Sequence, residues 1–203
     1  MLAVVLAAAL WAVAANVARD LFDDGLEPIL LTEARAFLAF IGFLALRPWR
    51  RRAVGRTPVY TIVALGLAIS FVNATYYIAI QHLEVAVAIV IQYTAPALVV
   101  GWIALARRKW PPRNVLVALL VALGGVVLAA GIGSRDLGMI SGSGLLAAAG
   151  TAIFFATYTL LSEKVEASYG PAGAMLRAFG VAAGFWLVYQ ATQGWPSALV
   201  DAD

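Results

Sequence analysis

Seven apolar stretches divide the chain, at about Leu2–Ala18, Ile29–Leu46, Val59–Ile80, Val85–Ala106, Val115–Ile132, Gly144–Ser162 and Ala172–Ala191. A bilayer core takes roughly 20 apolar residues per helix, within a range of about 17 to 25, and every stretch meets that length. Hydrophobic residues make up 63% of the chain and charged residues only 12%, about half the charge of a soluble domain. Inside lipid each backbone N–H and C=O needs a partner within the protein, which a helix supplies from its own chain. The expected fold class is an all-α membrane protein of about seven transmembrane helices, with short loops that set sequence neighbours antiparallel.

Charge fixes the expected orientation. The gap after the second stretch holds Arg47, Arg50, Arg51, Arg52 and Arg56, that after the fourth holds Arg107, Arg108, Lys109 and Arg113, and that after the sixth holds Lys164. The alternate gaps hold only Arg19 and Arg135, beside the acids Asp20, Asp23, Asp24, Glu27, Glu84 and Asp136. Lys and Arg in short loops are retained on the cytoplasmic side. The N-terminus is therefore expected in the cytoplasm, the protein in the cytoplasmic membrane, and the end of a seventh crossing outside. Basic loops beside membrane spans are a topology signal rather than a nucleic-acid patch, so no nucleic-acid partner is expected.

Several chemistries are excluded. The chain has no cysteine and one histidine, His82, so disulfides, thiol catalysis and a Cys/His metal site are not expected. No cofactor or metal is expected, and without a phosphate loop neither is ATP hydrolysis. An intramembrane enzyme needs a nucleophile with a base, or paired acids, at one depth; Glu33 is the only acid inside a span and has no acidic partner there. Met1–Ala18 has the apolar core of a secretory signal followed by Ala12-Val13-Ala14-Ala15, but it lacks a basic leader and is read as the first span.

A repeat is visible when the first two spans are laid on the sixth and seventh. Glu33-Ala34-Arg35-Ala36-Phe37 falls on Met175-Leu176-Arg177-Ala178-Phe179 without a gap, and the same shift brings Gly42 onto Gly184. With a five-helix unit, the second copy starts on the opposite side of the membrane, the inverted arrangement of many secondary transporters. The expected division is a complete repeat over 1–133 and a partial one over 143–203, whose two helices are followed by Gln193-Gly194-Trp195-Pro196-Ser197. A fragment of a longer protein is the favoured explanation; a short form that completes itself by pairing, as a homo-oligomer, is the other.

The order of motifs resembles the EamA-type transporters of the drug/metabolite transporter superfamily. The resemblance runs through Ala9-Leu10-Trp11-Ala12, Glu33 to Leu38, Ala86 to Ala88, Gln92-Tyr93-Thr94-Ala95-Pro96 and Gly124-Gly125-Val126-Val127-Leu128. It implies ten helices in two five-helix repeats, and a small-metabolite exporter, of amino acids or related compounds. Family members often carry a Gly-Glu pair where the fourth helix ends, whereas this chain has Arg107-Arg108-Lys109. A role resting on that acid is not transferred.

Polar residues within spans are costly and mark functional candidates. Arg35 lies in the second span, where it either faces solute or snorkels and pairs with Glu33 or a loop acid; Glu33 either pairs with Arg or carries a coupling proton. Arg177 is the repeat counterpart of Arg35 and is expected to snorkel. Ser70, Asn73 and Tyr77, with Gly66 a turn earlier, form one stripe of the third span; they line a cavity or bond between helices. Gln92, Tyr93 and Pro96 mark the fourth span, where proline removes a backbone hydrogen bond and kinks the helix. Asn16 and Tyr158 are weaker candidates. Trp49, Trp110, Trp186 and Trp195 are read as interfacial anchors, and Gly180 with Gly184 as a close-packing pair.

The expected function is a secondary transporter of a small metabolite by alternating access, with Asn73, Tyr77, Gln92, Tyr93, Pro96, Arg35 and Glu33 on the substrate pathway. Its partners are then the lipid bilayer, a small-molecule solute and a proton or other cation as coupling ion. The alternative is a transport-inactive fragment or structural membrane subunit.

Overall fold

A computed structural model of the chain describes residues 2–46, 55–130 and 141–193. Arg47, Trp49, Arg50, Arg51, Arg52, Ile132, Arg135, Asp136 and Trp195, all named above, lie outside the described residues. The elements are α1 (Leu2–Asp23), α2 (Pro28–Ala45), α3 (Val59–His82), α4 (Val85–Gln92), α5 (Ala95–Arg107), α6 (Arg113–Ala130) and α7 (Gly142–Gln193). Among the described residues there is no strand. The result is an all-α protein with, among the described residues, six helical segments long and apolar enough to cross a membrane, α4 with α5 counting as one and α7 as one.

The ends of these helices follow from local chemistry. After α1, the Gly25 N–H bonds Phe22 O at 3.1 Å and the Leu26 N–H bonds Leu21 O at 2.9 Å. This pair of bonds needs a left-handed residue just past the helix, and Gly25 supplies it with φ 97°. Pro28 then opens α2, where a missing N–H costs nothing. The same pair of bonds closes α5, from Arg108 to Leu105 O and from Lys109 to Ala104 O, but there the left-handed residue is Arg108, at φ 49°.

The proline-containing span breaks rather than bends. α4 ends at Gln92 and α5 starts at Ala95, with Pro96 in its first turn. In a continuous helix the Pro96 ring would press on the carbonyl four residues back, that of Gln92, so the helix stops there. The Thr94 hydroxyl donates to Ile91 O at 2.7 Å, partnering one carbonyl released by the break.

The last two spans depart from expectation at their junction. α7 is assigned over 52 residues, with one non-helical residue, Gly170 (φ 70°, ψ 169°), followed by Pro171. A straight helix of that length would run about 78 Å, more than twice the roughly 30 Å of a bilayer core. The break leaves two arms, 142–169 and 171–193, each long enough to cross. The first arm continues past the expected end at Ser162, because Ser162-Glu163-Lys164-Val165-Glu166-Ala167 loses hydropathy but not helix propensity. Lys164 thus sits on a helix and not in a loop.

The chain forms two compact units: Met1–Thr32 with Phe71–Leu160, and Glu33–Ser70 with Leu161–Asp203. In the first, Ala15, Ala18, Ala79, Ala88 and Ala148 are buried around Phe22, Tyr76, Tyr77, Ile80 and Leu83. Small residues let membrane helices approach closely. Trp11 stacks on Tyr76 at 5.7 Å between centroids, and Phe22 meets Tyr77 edge-on at 5.6 Å. Thr151 donates to Thr75 across the same unit at 3.0 Å.

In the second unit, a Cβ on Gly66 would lie 2.5 Å from Val181 Cβ and 2.7 Å from Ala178 O. Phe43 stacks on Phe179, and Gly180 leaves room for Phe40, 3.1 Å from where a Cβ would stand. Gly184 has nothing within 4 Å, so of the expected glycine pair only Gly180 serves close packing.

Large apolar side chains cover the outside. Leu128 is 81% exposed and Leu146 77%, and α6 has no buried residue at all. Water would not tolerate so many exposed large apolar side chains on a folded monomer; lipid does.

Candidate functional site

Within the first unit, α1, α4 and α6 border an open cleft of about 740 Å³. That is within the roughly 300–1,000 Å³ of small-molecule sites. Its polar groups are Asn16 and Arg19 on α1, Glu84 ahead of α4, and Tyr93 at the break between α4 and α5. Its apolar walls come from Val85 and Ile89 on one side and Val126 on the other. Asn16 donates to Ala12 O at 2.9 Å. The Arg19 guanidinium donates to the carbonyls of Ile80 and Leu83 at the end of α3 and pairs with Asp23 one turn further along α1. A cation, an acid, an amide and a phenol on apolar walls suit a small solute with polar ends and an apolar body.

Of the residues expected on a substrate pathway, Tyr93 lines this cavity, and the weaker candidate Asn16 lines it too. Gln92 precedes Tyr93 and is buried, and its Oε1 has no hydrogen-bond partner among the described residues. Pro96 is exposed in the first turn of α5. Tyr77 is buried in the first unit's core against Phe22 and Tyr76. Asn73 is half-buried in the same stretch of α3. Ser70 belongs to the other unit and turns its hydroxyl back to Gly66 O at 3.0 Å. Gly66 packs against Val181 and Ala178.

Glu33 is in the second unit. It is buried, and Gln190 donates its amide N–H to Glu33 Oε2. The other carboxylate oxygen has no hydrogen-bond partner among the described residues, nor has the indole N–H of Trp186, one turn before Gln190. Arg35 is half-buried two residues along α2. Arg177 donates to Gly173 O, one turn back on its own arm, at 2.9 Å and lies 3.7 Å over the Tyr169 ring across the Gly170 break. Trp186 corrects an expectation: it is 3% exposed, edge-on to Phe185 and Tyr189, while Trp110, at 91% exposure, has the position of an anchor.

Arg19 and Glu84 had been read only as loop charges. A signal for Arg19 was present, since Asn16 and Arg19 are three apart and share a helix face. For Gln190 the signal was a polar residue in a span otherwise apolar at that end.

The long apolar helices and their exposed apolar side chains are those of a multi-pass membrane protein. The EamA-like transporter family model matches residues 1–131, and the chain belongs to that family. A curated relative, the uncharacterized inner membrane transporter YicL of Salmonella typhimurium, is 34% identical over 99 residues. The match covers 49% of this chain and 33% of the relative, so it spans about a third of the relative's length. No solved structure matches.

Proposed function

We propose that the protein works as a secondary transporter of a small metabolite carrying both charged and apolar parts, of the amino-acid type, by alternating access across the cytoplasmic membrane. The observation that carries this is the cavity lined by Asn16, Arg19, Glu84 and Tyr93 in a member of a transporter family. Arg19 offers a carboxylate partner and Glu84 an ammonium partner, while Val85, Ile89 and Val126 accept the body of the solute. Gln92 and Asn73 contribute polar surface during passage, and Glu33 is the candidate carrier of a coupling proton. Seven crossings with a cytoplasmic N-terminus, a complete repeat over 1–133 and a second begun at 143 give the inverted architecture that such a cycle uses.

The test is uptake of a labelled amino-acid panel into proteoliposomes, for this chain and for a version extended to ten helices. Asn16→Leu, Tyr93→Leu and Gln92→Leu are expected to cut flux at least tenfold with membrane insertion intact. Flux from neither protein would make the chain a structural subunit.

A further inference from the structure

A second cavity, of about 420 Å³, lies within the second unit at the start of α3. It is lined by Arg56, Thr57, Tyr60, Thr61, Lys164 and Ser168 among others, and none of the described lining residues is acidic. None of them belongs to the solute cavity. Thr57 donates to Ser168 Oγ at 2.8 Å, which fastens the segment before α3 to the arm 142–169. Gly55, at φ 99°, turns the backbone so that a Cβ there would sit 3.6 Å from the same Ser168 hydroxyl. The Arg56 and Lys164 side chains, one from each side, thus border one concave space.

The end of α3 that opens there is positive as well. The first N–H groups of a helix have no partner within it, and their dipoles sum to a partial positive charge. Two full cations, the Ser168 hydroxyl and that helix end converge on a space with no acid among its described lining residues, which is the chemistry of a phosphate ligand. Two further observations favour a membrane source over a soluble one. Tyr60 is 76% exposed beside the cavity, an aromatic at the edge of a span where headgroups lie. Leu161 also lines it and offers apolar surface to an acyl chain.

We propose that this cavity binds the phosphate headgroup of an anionic phospholipid. Arg56 and Lys164 neutralise the phosphate, Ser168, whose Oγ accepts from Thr57, donates its own hydroxyl to a phosphate oxygen, and the lipid tails lie against the apolar start of α3. Basic pockets at the ends of membrane helices bind anionic headgroups elsewhere. The site is independent of the transport reading, since it is measured by binding and not by flux.

The experiment titrates the full chain, in an uncharged detergent, with phosphatidylglycerol, phosphatidylcholine and inorganic phosphate, reading bound ligand by native mass spectrometry. Phosphatidylglycerol is expected to bind in preference to phosphatidylcholine. Arg56→Gln with Lys164→Gln is expected to weaken it about 25-fold, at about fivefold for each cation lost. Arg107→Gln with Lys109→Gln, which removes two exposed cations that are not among the cavity's lining residues, is expected to leave it unchanged. Both single variants at Arg56 and Lys164 are measured alongside, since each alters one exposed side chain and folding tolerates such changes. Inorganic phosphate binding as tightly as the lipid, with the same loss in the Arg56/Lys164 variant, would overturn the lipid source. Equal affinity for both lipids, or equal loss in the two double variants, would overturn the site.

Discussion

Gln190 and Glu33 stand 157 positions apart in sequence, and the amide N–H of Gln190 donates to the Glu33 carboxylate where both side chains are buried. A hydrogen bond between membrane helices is typically worth only about 0.6 kcal/mol, but a buried acceptor stripped of its donor costs about 1–3 kcal/mol. Gln190→Leu is therefore expected to destabilise the protein by more than the bond itself is worth. Glu33→Leu combined with Gln190→Leu should recover most of that loss. Thermal unfolding in detergent decides it: a double variant less stable than Gln190→Leu would show that the pair is not coupled.

Gly66 gives a steric prediction. A Cβ at that position would stand 2.5 Å from Val181 Cβ and 2.7 Å from the Ala178 carbonyl, and the carbonyl cannot swing away as a side-chain end can. Gly66→Ala is expected to cost about 1–3 kcal/mol, as overpacking does. Gly184→Ala, with nothing within 4 Å, serves as the neutral comparison. Equal melting temperatures for the two variants would disprove the close approach.

Backbone conformation carries the next. Gly170, at φ 70° and ψ 169°, lies in a region that only glycine occupies cheaply, at about 1–3 kcal/mol for other residues. Space is not the constraint there, since no atom stands within 4 Å of its absent Cβ. Gly170→Ala should lower stability by that amount, and Gly142→Ala, equally uncrowded and without a positive φ, should not. Matching losses at both sites would count against the strained backbone.

Arg108 predicts a gain. It holds the left-handed position after α5, at φ 49°, where a side chain costs about 1–2 kcal/mol. Part of that is returned because glycine also loosens the unfolded chain. Arg108→Gly is expected to raise stability by about 0.5–1 kcal/mol, measured by thermal unfolding. An unchanged or lower midpoint would argue against the left-handed conformation.

The fold was largely legible because lipid imposes a length and a polarity that composition alone satisfies, and apolar runs therefore mark the spans. The breaks were legible in kind but not in place. Pro96 announces an interruption, but its ring excludes a carbonyl one turn upstream, so the helix ends at Gln92. The break at Gly170 falls inside the expected gap but at its far end, because hydropathy falls at Glu163 while helix propensity continues. The candidate site was less legible. A polar residue's face is set by which helices approach it, and nothing local to Trp186, Ser70 or Gly66 tells which neighbour that will be. The partnership of Glu33 with Gln190 joins residues far apart in the chain, and a single sequence carries no signal of such a meeting. Arg19 was overlooked because a cation at a span end reads as a loop charge until the carbonyls it reaches are known.

Those carbonyls bear on how the first unit can move. By gripping Ile80 and Leu83, Arg19 braces α1 against the tail of α3, and sliding either helix would strand two acceptors in a poorly hydrated place. The yielding wall of the cavity is then the one made by α4 and α6. A cross-link locking α1 to α3 at this level should leave solute passage intact, whereas one locking α4 to α6 should arrest it.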